Sequence, residues 1–183
     1  MAVSGRQSVS TQVEFDEFYT ATRLRLLRQL TVMTGDPEQA ADVLQEAYAR
    51  AWQRWRRVSR LDNPSAWVRT VAWRVAVSQH RRSLVAADRL RRFRTSEVDR
   101  MAESEERVDL LRALNALSAE HRRAVVLHEM AGLSVTEIAA ETGVPAGTVK
   151  SRLSRARAAL GASLGHEYLR EGSATTAPEA NLS

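Results

Sequence analysis

Between Phe15 and Leu160 the apolar residues recur every three or four positions, in blocks cut by Gly35-Asp36-Pro37, Asn63-Pro64, Gly132 and Gly143-Val144-Pro145. That spacing puts apolar side chains on one face of a helix, and the interruptions are helix stops, caps and first-turn prolines. Aromatic residues are 5% of the 183 and alanine and arginine abound, a balance that favours small helical bundles over β-sandwiches or barrels. The predicted fold class is all-α, with two small helical domains joined by a flexible linker.

Phe15, Phe18, Tyr19, Leu24, Leu27 and Leu30 predict a helix over about 14–33, with Glu14, Asp16 and Glu17 where the helix N-terminus favours acids. Asp36 and Pro37 start a second helix to about 56, through Val43, Leu44, Ala47, Tyr48, Ala51, Trp52 and Trp55. Asn63-Pro64 starts a third, to about Arg82, on Trp67, Val71, Val75 and Val77. Together they make a first domain, 14–82. Residues 83–106 turn from arginine-rich to acidic with little apolar period and are expected to form the linker. A second domain, 107–164, follows. Residues 1–13 and 165–183 are rich in Ser, Ala and Thr and are expected to be mostly disordered.

In the second domain Val108, Leu111, Leu114 and Leu117 form a helical stripe. Ser118 caps a helix that Gly132 stops, and Ser134 caps a short helix with Glu137 at capping-box spacing. After the Gly143-Val144-Pro145 turn, Thr148 to Leu160 forms another helix, completing a helix-turn-helix pattern. There Val149, Leu153, Ala156 and Leu160 fall within ~60° of one another. The opposite arc carries Thr148, Ser151, Ser154 and Arg155, flanked by Arg152 on one side and by Lys150 and Arg157 on the other. No acid occurs from Val144 to Leu160. Small polar side chains can approach base edges while bases hold phosphates, so the helix is predicted to read DNA.

Net charge is +5, which suits a polyanionic partner, and its distribution is more informative. Asp36, Glu38, Asp42 and Glu46 form an acidic run without a base, followed by Arg50, Arg54, Arg56, Arg57 and Arg60 against Asp62. The acidic half of that helix suits an arginine-bearing protein surface rather than DNA.

Other functions fit less of the chain. There is no cysteine, so disulfides, thiol nucleophiles and cysteine zinc sites are excluded. His80, His121, His128 and His166 are scattered, and no HExxH, P-loop or Gly-x-Ser-x-Gly motif occurs, so no enzyme, metal or cofactor is expected. A stand-alone helix-turn-helix regulator accounts for 107–162 but leaves the acidic half-helix and arginine-rich loop of 14–82 unused. The longest uncharged stretch, Ala158 to His166, is far too short to span a bilayer. Met1 to Val13 lacks the apolar region of a secretion signal. The chain is expected in the cytoplasm.

Two segments resemble the extracytoplasmic-function (ECF) sigma factors, small two-domain initiation subunits of bacterial RNA polymerase. Leu117-Ser-Ala-Glu-His-Arg-Arg-Ala-Val-Val-Leu127, Gly132-Leu-Ser-Val-Thr-Glu-Ile-Ala139 and Gly147-Thr-Val-Lys-Ser-Arg-Leu-Ser-Arg-Ala-Arg157 are similar to the family's region 4. Asp36-Pro-Glu-Gln-Ala-Ala-Asp-Val-Leu-Gln-Glu46 with Ala51-Trp52 resembles region 2. The resemblance implies that Asp42, Gln45 and Glu46 dock on the polymerase clamp helices. It implies that Arg56, Arg57, Arg60, Asp62, Asn63, Trp67 and Arg74 serve the minus-ten element, with Trp73 supporting the strand. Thr148, Lys150, Ser151, Arg152, Arg155 and Arg157 would read the minus-thirty-five element, while the second domain packs on the polymerase flap. The family often has Asn where this chain has Arg74 and Asp where it has Ser78. Anti-sigma partners are common in the family, though nothing in these residues requires one.

Overall fold

The computed structural model describes residues 3–87 and 105–164, all-helical with turns and no strand. The linker residues 88–104 and the tail 165–183, for which a flexible connector and disorder are expected, lie outside the described residues. Helix α1 runs Val3–Thr34, α2 Pro37–Gln53, a single turn α3 Trp55–Val58, and α4 Pro64–Ala87. After residue 104 come α5 Glu105–Ala116, α6 Ala119–Val125, α7 Val135–Thr142 and α8 Ala146–Leu164.

The punctuation of the sequence becomes the caps of these helices. Asp36 accepts the amides of Glu38 at 2.9 Å and Gln39 at 3.1 Å, with Pro37 in the first turn where no partner is lost. Asn63 Oδ1 accepts the amide of Ala66 at 2.9 Å and so starts α4. Ser134 and Glu137 form a reciprocal capping box on α7, and Gly143 ends that helix at φ +72°, a left-handed conformation that favours glycine.

Several boundaries differ from expectation, among them α4, which runs past Arg82 to Ala87, and α5, which starts at Glu105, both inside the stretch 83–106 expected to be linker. Residues 3–13, assigned to a disordered N-terminus, continue α1: they lack apolar periodicity, but no proline interrupts them. The second helix stops at Gln53 and restarts as α3, because the Arg54 backbone leaves helical geometry at φ −123°, ψ 20°. Beyond Val125 the helix widens into a π turn over Val126–Met130, where the Ala131 amide reaches back to the Val126 carbonyl at 3.0 Å. An apolar period of 3.6 carries no sign of that extra residue in the turn.

α1, α2 and α4 pack together around Leu26, Leu30, Met33, Val43, Ala47, Val68 and Ala72, all fully buried. Each buried leucine or valine contributes on the order of 1.5–3 kcal/mol. In the second half α8 packs against α5, α6 and α7, and Leu127, Ile138, Val149 and Leu153 fill the space between them. The two halves touch: α1 contacts α5, α6 and the π turn, and α4 contacts α7, so one buried cluster runs through both. Among the described residues no helix is long and apolar enough to cross a membrane.

Candidate nucleic-acid interface

The α7–α8 turn sets the presentation of α8. The carbonyl of Pro145 accepts the amides of Thr148 at 2.9 Å and Val149 at 3.1 Å, closing the first turn. Val149, Leu153, Ala156 and Leu160 then face the core, every one buried. The opposite side is thereby fixed outward: Lys150, Ser151, Ser154, Arg155 and Arg157 are exposed, and Thr148 is half-buried. Ser151 Oγ donates to the Thr148 carbonyl at 3.0 Å.

Two of the predicted DNA-facing bases have protein partners. Arg152, half-buried, pairs with Glu120 of α6 at 2.8 Å, and Arg157 pairs with Glu129 of the π turn at 3.0 Å. The acid-free run of sequence is real along α8, but the acids arrive from α6 and the π turn that follows it. Such partly exposed pairs contribute roughly 0–1 kcal/mol, so a phosphate can replace the carboxylate at little cost.

In the first half Arg56, Arg57, Arg60, Asp62 and Asn63 are exposed around α3 and the turn before α4. They form one contiguous stretch of chain. Asn63 already serves as the α4 cap, and Trp67 is half-buried with Arg74 exposed further along α4. Trp52 is 44% exposed, rests on Phe15 with ring centroids 5.1 Å apart, and lines a cleft of about 660 Å³ with Arg54, Trp55, Arg56 and Arg57. An indole face among guanidinium groups is a surface on which an unpaired base can stack while its phosphate is held. Sequence reading placed Trp52 in the second helix and gave it no part in nucleic-acid binding.

Trp73 does not join that surface. It is 6% exposed, with the Arg123 guanidinium 5.1 Å from its ring centroid. Burial pushes the Arg123 guanidinium down to about 10, with the charges of Glu141 and Glu120 opposing that shift.

On α2, Asp42 and Gln45 are exposed, and Glu46 is half-buried and ion-paired with Arg50 one turn on. Cap, acid face and arginine-rich turn therefore follow one another along α2 and α3. Among the described residues no cluster of His, Asp and Glu is arranged to hold a metal ion.

Sequence reading passed over the residues that join the halves: Gln29, Arg69, Arg122, Arg123 and Glu141. The available signal was Arg69 at an apolar position of α4, between Val68 and the Val71–Ala72 pair, where a base needs a buried acid.

Comparison with known proteins matches the same two segments. Residues 18–84 match the family Sigma-70 region 2, and residues 107–160 match Sigma-70, region 4. The chain is 36% identical over 141 residues to the ECF RNA polymerase sigma factor SigL of Mycobacterium tuberculosis, covering 74% of this chain and 80% of that one. It is 32% identical over 149 residues to the RNA polymerase sigma-E factor of Streptomyces coelicolor, covering 81% and 84%. The sigma factor RpoE of Bartonella quintana, solved in complex with the anti-sigma factor NepR, superposes with a TM-score of 0.72 at 28% identity, covering 82% of this chain and 96% of that one. With both regions matched and the relatives covered over most of their length, the chain belongs to the ECF RNA polymerase sigma factors, non-enzymatic initiation subunits that bind core polymerase and direct it to promoters.

Proposed function

We propose a division of labour within the chain. The first domain, 14–82, docks on the clamp helices of core polymerase through Asp42, Gln45 and Glu46. It captures the opened minus-ten strand with Arg56, Arg57, Arg60, Asp62, Asn63, Trp67 and Arg74. The second domain, 107–164, lays α8 in the major groove of the minus-thirty-five element through Thr148, Lys150, Ser151, Arg152, Arg155 and Arg157, and packs on the flap. The linker, 83–106, threads toward the RNA exit path, and the chain works in the cytoplasm.

The observation that carries this reading is α8: its buried stripe leaves Lys150, Ser151 and Arg155 facing solvent on the side opposite the core. The bases supply phosphate affinity and the small polar groups let the helix approach base edges. The complex of RpoE with NepR supports a regulatory protein partner for this chain as well.

The test is in vitro transcription with sigma-free bacterial core polymerase on a genomic promoter library. Run-off products sharing two spaced upstream elements are expected. The absence of both products and co-purification with core would move the reading to a stand-alone DNA-binding regulator.

A further inference from the structure

Between α1 on one side and α5 with the π turn on the other lies a second concavity, of about 370 Å³. Leu24, Leu27 and Val32 of α1 form one wall, and Leu111, Leu114 and Met130 form the other. Among the described residues no aromatic ring and no acid lines it. Leu24 is 56% exposed and Met130 43%, so the walls leave aliphatic surface against water that a small apolar occupant would cover. The volume lies within the ~300–1,000 Å³ of sites that enclose small molecules.

The charged groups at this cavity are all cationic. Arg28 lines it, is exposed on α1, and has no ion pair among the described residues. Asn115 also lines it, with its Oδ1 accepting Arg122 Nη1 at 2.7 Å, and Arg122 Nε donates to the Met33 carbonyl at 3.1 Å. Arg122 is thus held by neutral acceptors, and burial pushes its guanidinium down from the ordinary value with no acid to offset the shift. Gly35 leaves the room for this arrangement, since a Cβ there would stand 2.7 Å from Asn115 Oδ1 and 3.2 Å from Arg122 Nη1. Elsewhere Arg152 and Arg157 find carboxylates within the chain, but here an aliphatic cavity ends in positive charge that the chain does not neutralise.

We infer that this cavity is a binding site for a medium-chain fatty carboxylate, its alkyl chain lying between α1 and α5 and its head group paired with Arg28. A guanidinium offers parallel N–H donors to both oxygens of a carboxylate. Aliphatic walls without a ring to stack on suit a flexible alkyl chain better than a planar ligand. The inference goes beyond the promoter-binding reading and does not rest on it.

The test uses the full chain with carbon-13 in its methionine methyl groups, titrated with sodium decanoate below the concentration at which it forms micelles. Met130→Leu identifies the Met130 resonance. That resonance is expected to shift saturably with one ligand per chain, while the signal of Met33, fully buried and not a lining residue, moves far less. Decanoate should bind roughly tenfold tighter than octanoate, because each enclosed methylene is worth about three- to fourfold. Decanol keeps the chain without the carboxylate and should bind at least fivefold more weakly than decanoate. Arg28→Gln should weaken decanoate at least fivefold, leave decanol within twofold of the parent, and leave the helical circular dichroism unchanged, as Arg28 is exposed.

A Met130 resonance that stays in place overturns the site. So does equal affinity for decanoate and decanol, or an Arg28→Gln variant that binds decanoate as the parent does. Unsaturable uptake accompanied by loss of helical signal is detergent action and overturns it as well. A Met130 shift that follows protein concentration alone gives the cavity to a second copy of the chain, and one produced by phosphatidylglycerol vesicles but not by decanoate gives it to a membrane surface; either result overturns the fatty-carboxylate assignment. The titration needs neither DNA nor polymerase, so its failure and that of the transcription assay are separately visible.

Discussion

The guanidinium of Arg123 lies 5.1 Å from the ring centroid of Trp73, and its Nε is buried without a hydrogen-bond partner. The apolar stem therefore packs well while the charged head is poorly compensated. Arg123→Met, which keeps the stem, should change unfolding free energy by less than ~1 kcal/mol, whereas Arg123→Ala opens a cavity over the indole and should cost about 2–3 kcal/mol. Urea unfolding distinguishes the two. A methionine variant as unstable as the alanine variant would show that the charge itself holds Trp73.

Arg155 and Lys150 are both exposed on α8 but are expected to do different work. Arg155→Ala should weaken binding to the minus-thirty-five element by ~1–3 kcal/mol and leave scrambled DNA nearly unaffected. Lys150→Ala should weaken both DNAs alike and reduce the salt slope by about 1. Fluorescence anisotropy on the two duplexes at several salt concentrations checks both, and equal losses for Arg155→Ala on the two sequences would remove it from base reading.

Asp42 projects from α2 into solvent, away from the cap at Asp36 and the buried face at Val43 and Leu44. Reversing its charge should leave the helical circular dichroism and melting temperature in place while abolishing co-purification with core polymerase. Undiminished co-purification of Asp42→Arg would refute its place in docking.

The Ser134 hydroxyl and backbone amide both donate to Glu137, at 2.6 and 2.8 Å, and these bonds hold its carboxyl below its usual value. A carboxyl whose folded value is depressed contributes stability above its unfolded value near 4.5, and that contribution disappears as pH falls through the folded value. Ser134→Ala should cost ~1 kcal/mol at neutral pH. Glu137→Gln should flatten the loss of stability seen for the parent on acidification. Unfolding midpoints measured from pH 7 to 3 provide the comparison, and superimposable pH profiles would contradict it.

The caps were legible because each is a local event: Asp36 with Pro37, Asn63, and Ser134 with Glu137 act within three residues of themselves. The stripe of α8 was legible for the same reason, since Val149, Leu153, Ala156 and Leu160 share one helix face. What sequence could not convey was contact across long separations. Arg69 and Glu141 are 72 residues apart, and nothing in either neighbourhood marks the other as its partner. The same limit hid Glu120 of α6 and Glu129 of the π turn, which reach Arg152 and Arg157 across the sequence of α7. The start of α1 at Val3 was missed because continuation of a helix through polar residues leaves no apolar period to detect.

Lys150, exposed on α8, is the one lysine in the 183 residues, against 26 arginines. Side-chain amine chemistry on this protein is consequently confined to the helix assigned to DNA. An activated ester or a reactive acyl thioester has a single ε-amine to find, apart from the chain's own terminus, and acylating it replaces a cation with a neutral amide. The rate at which that amine is labelled becomes a direct readout of whether α8 is covered, obtained from the unaltered chain without a single substitution.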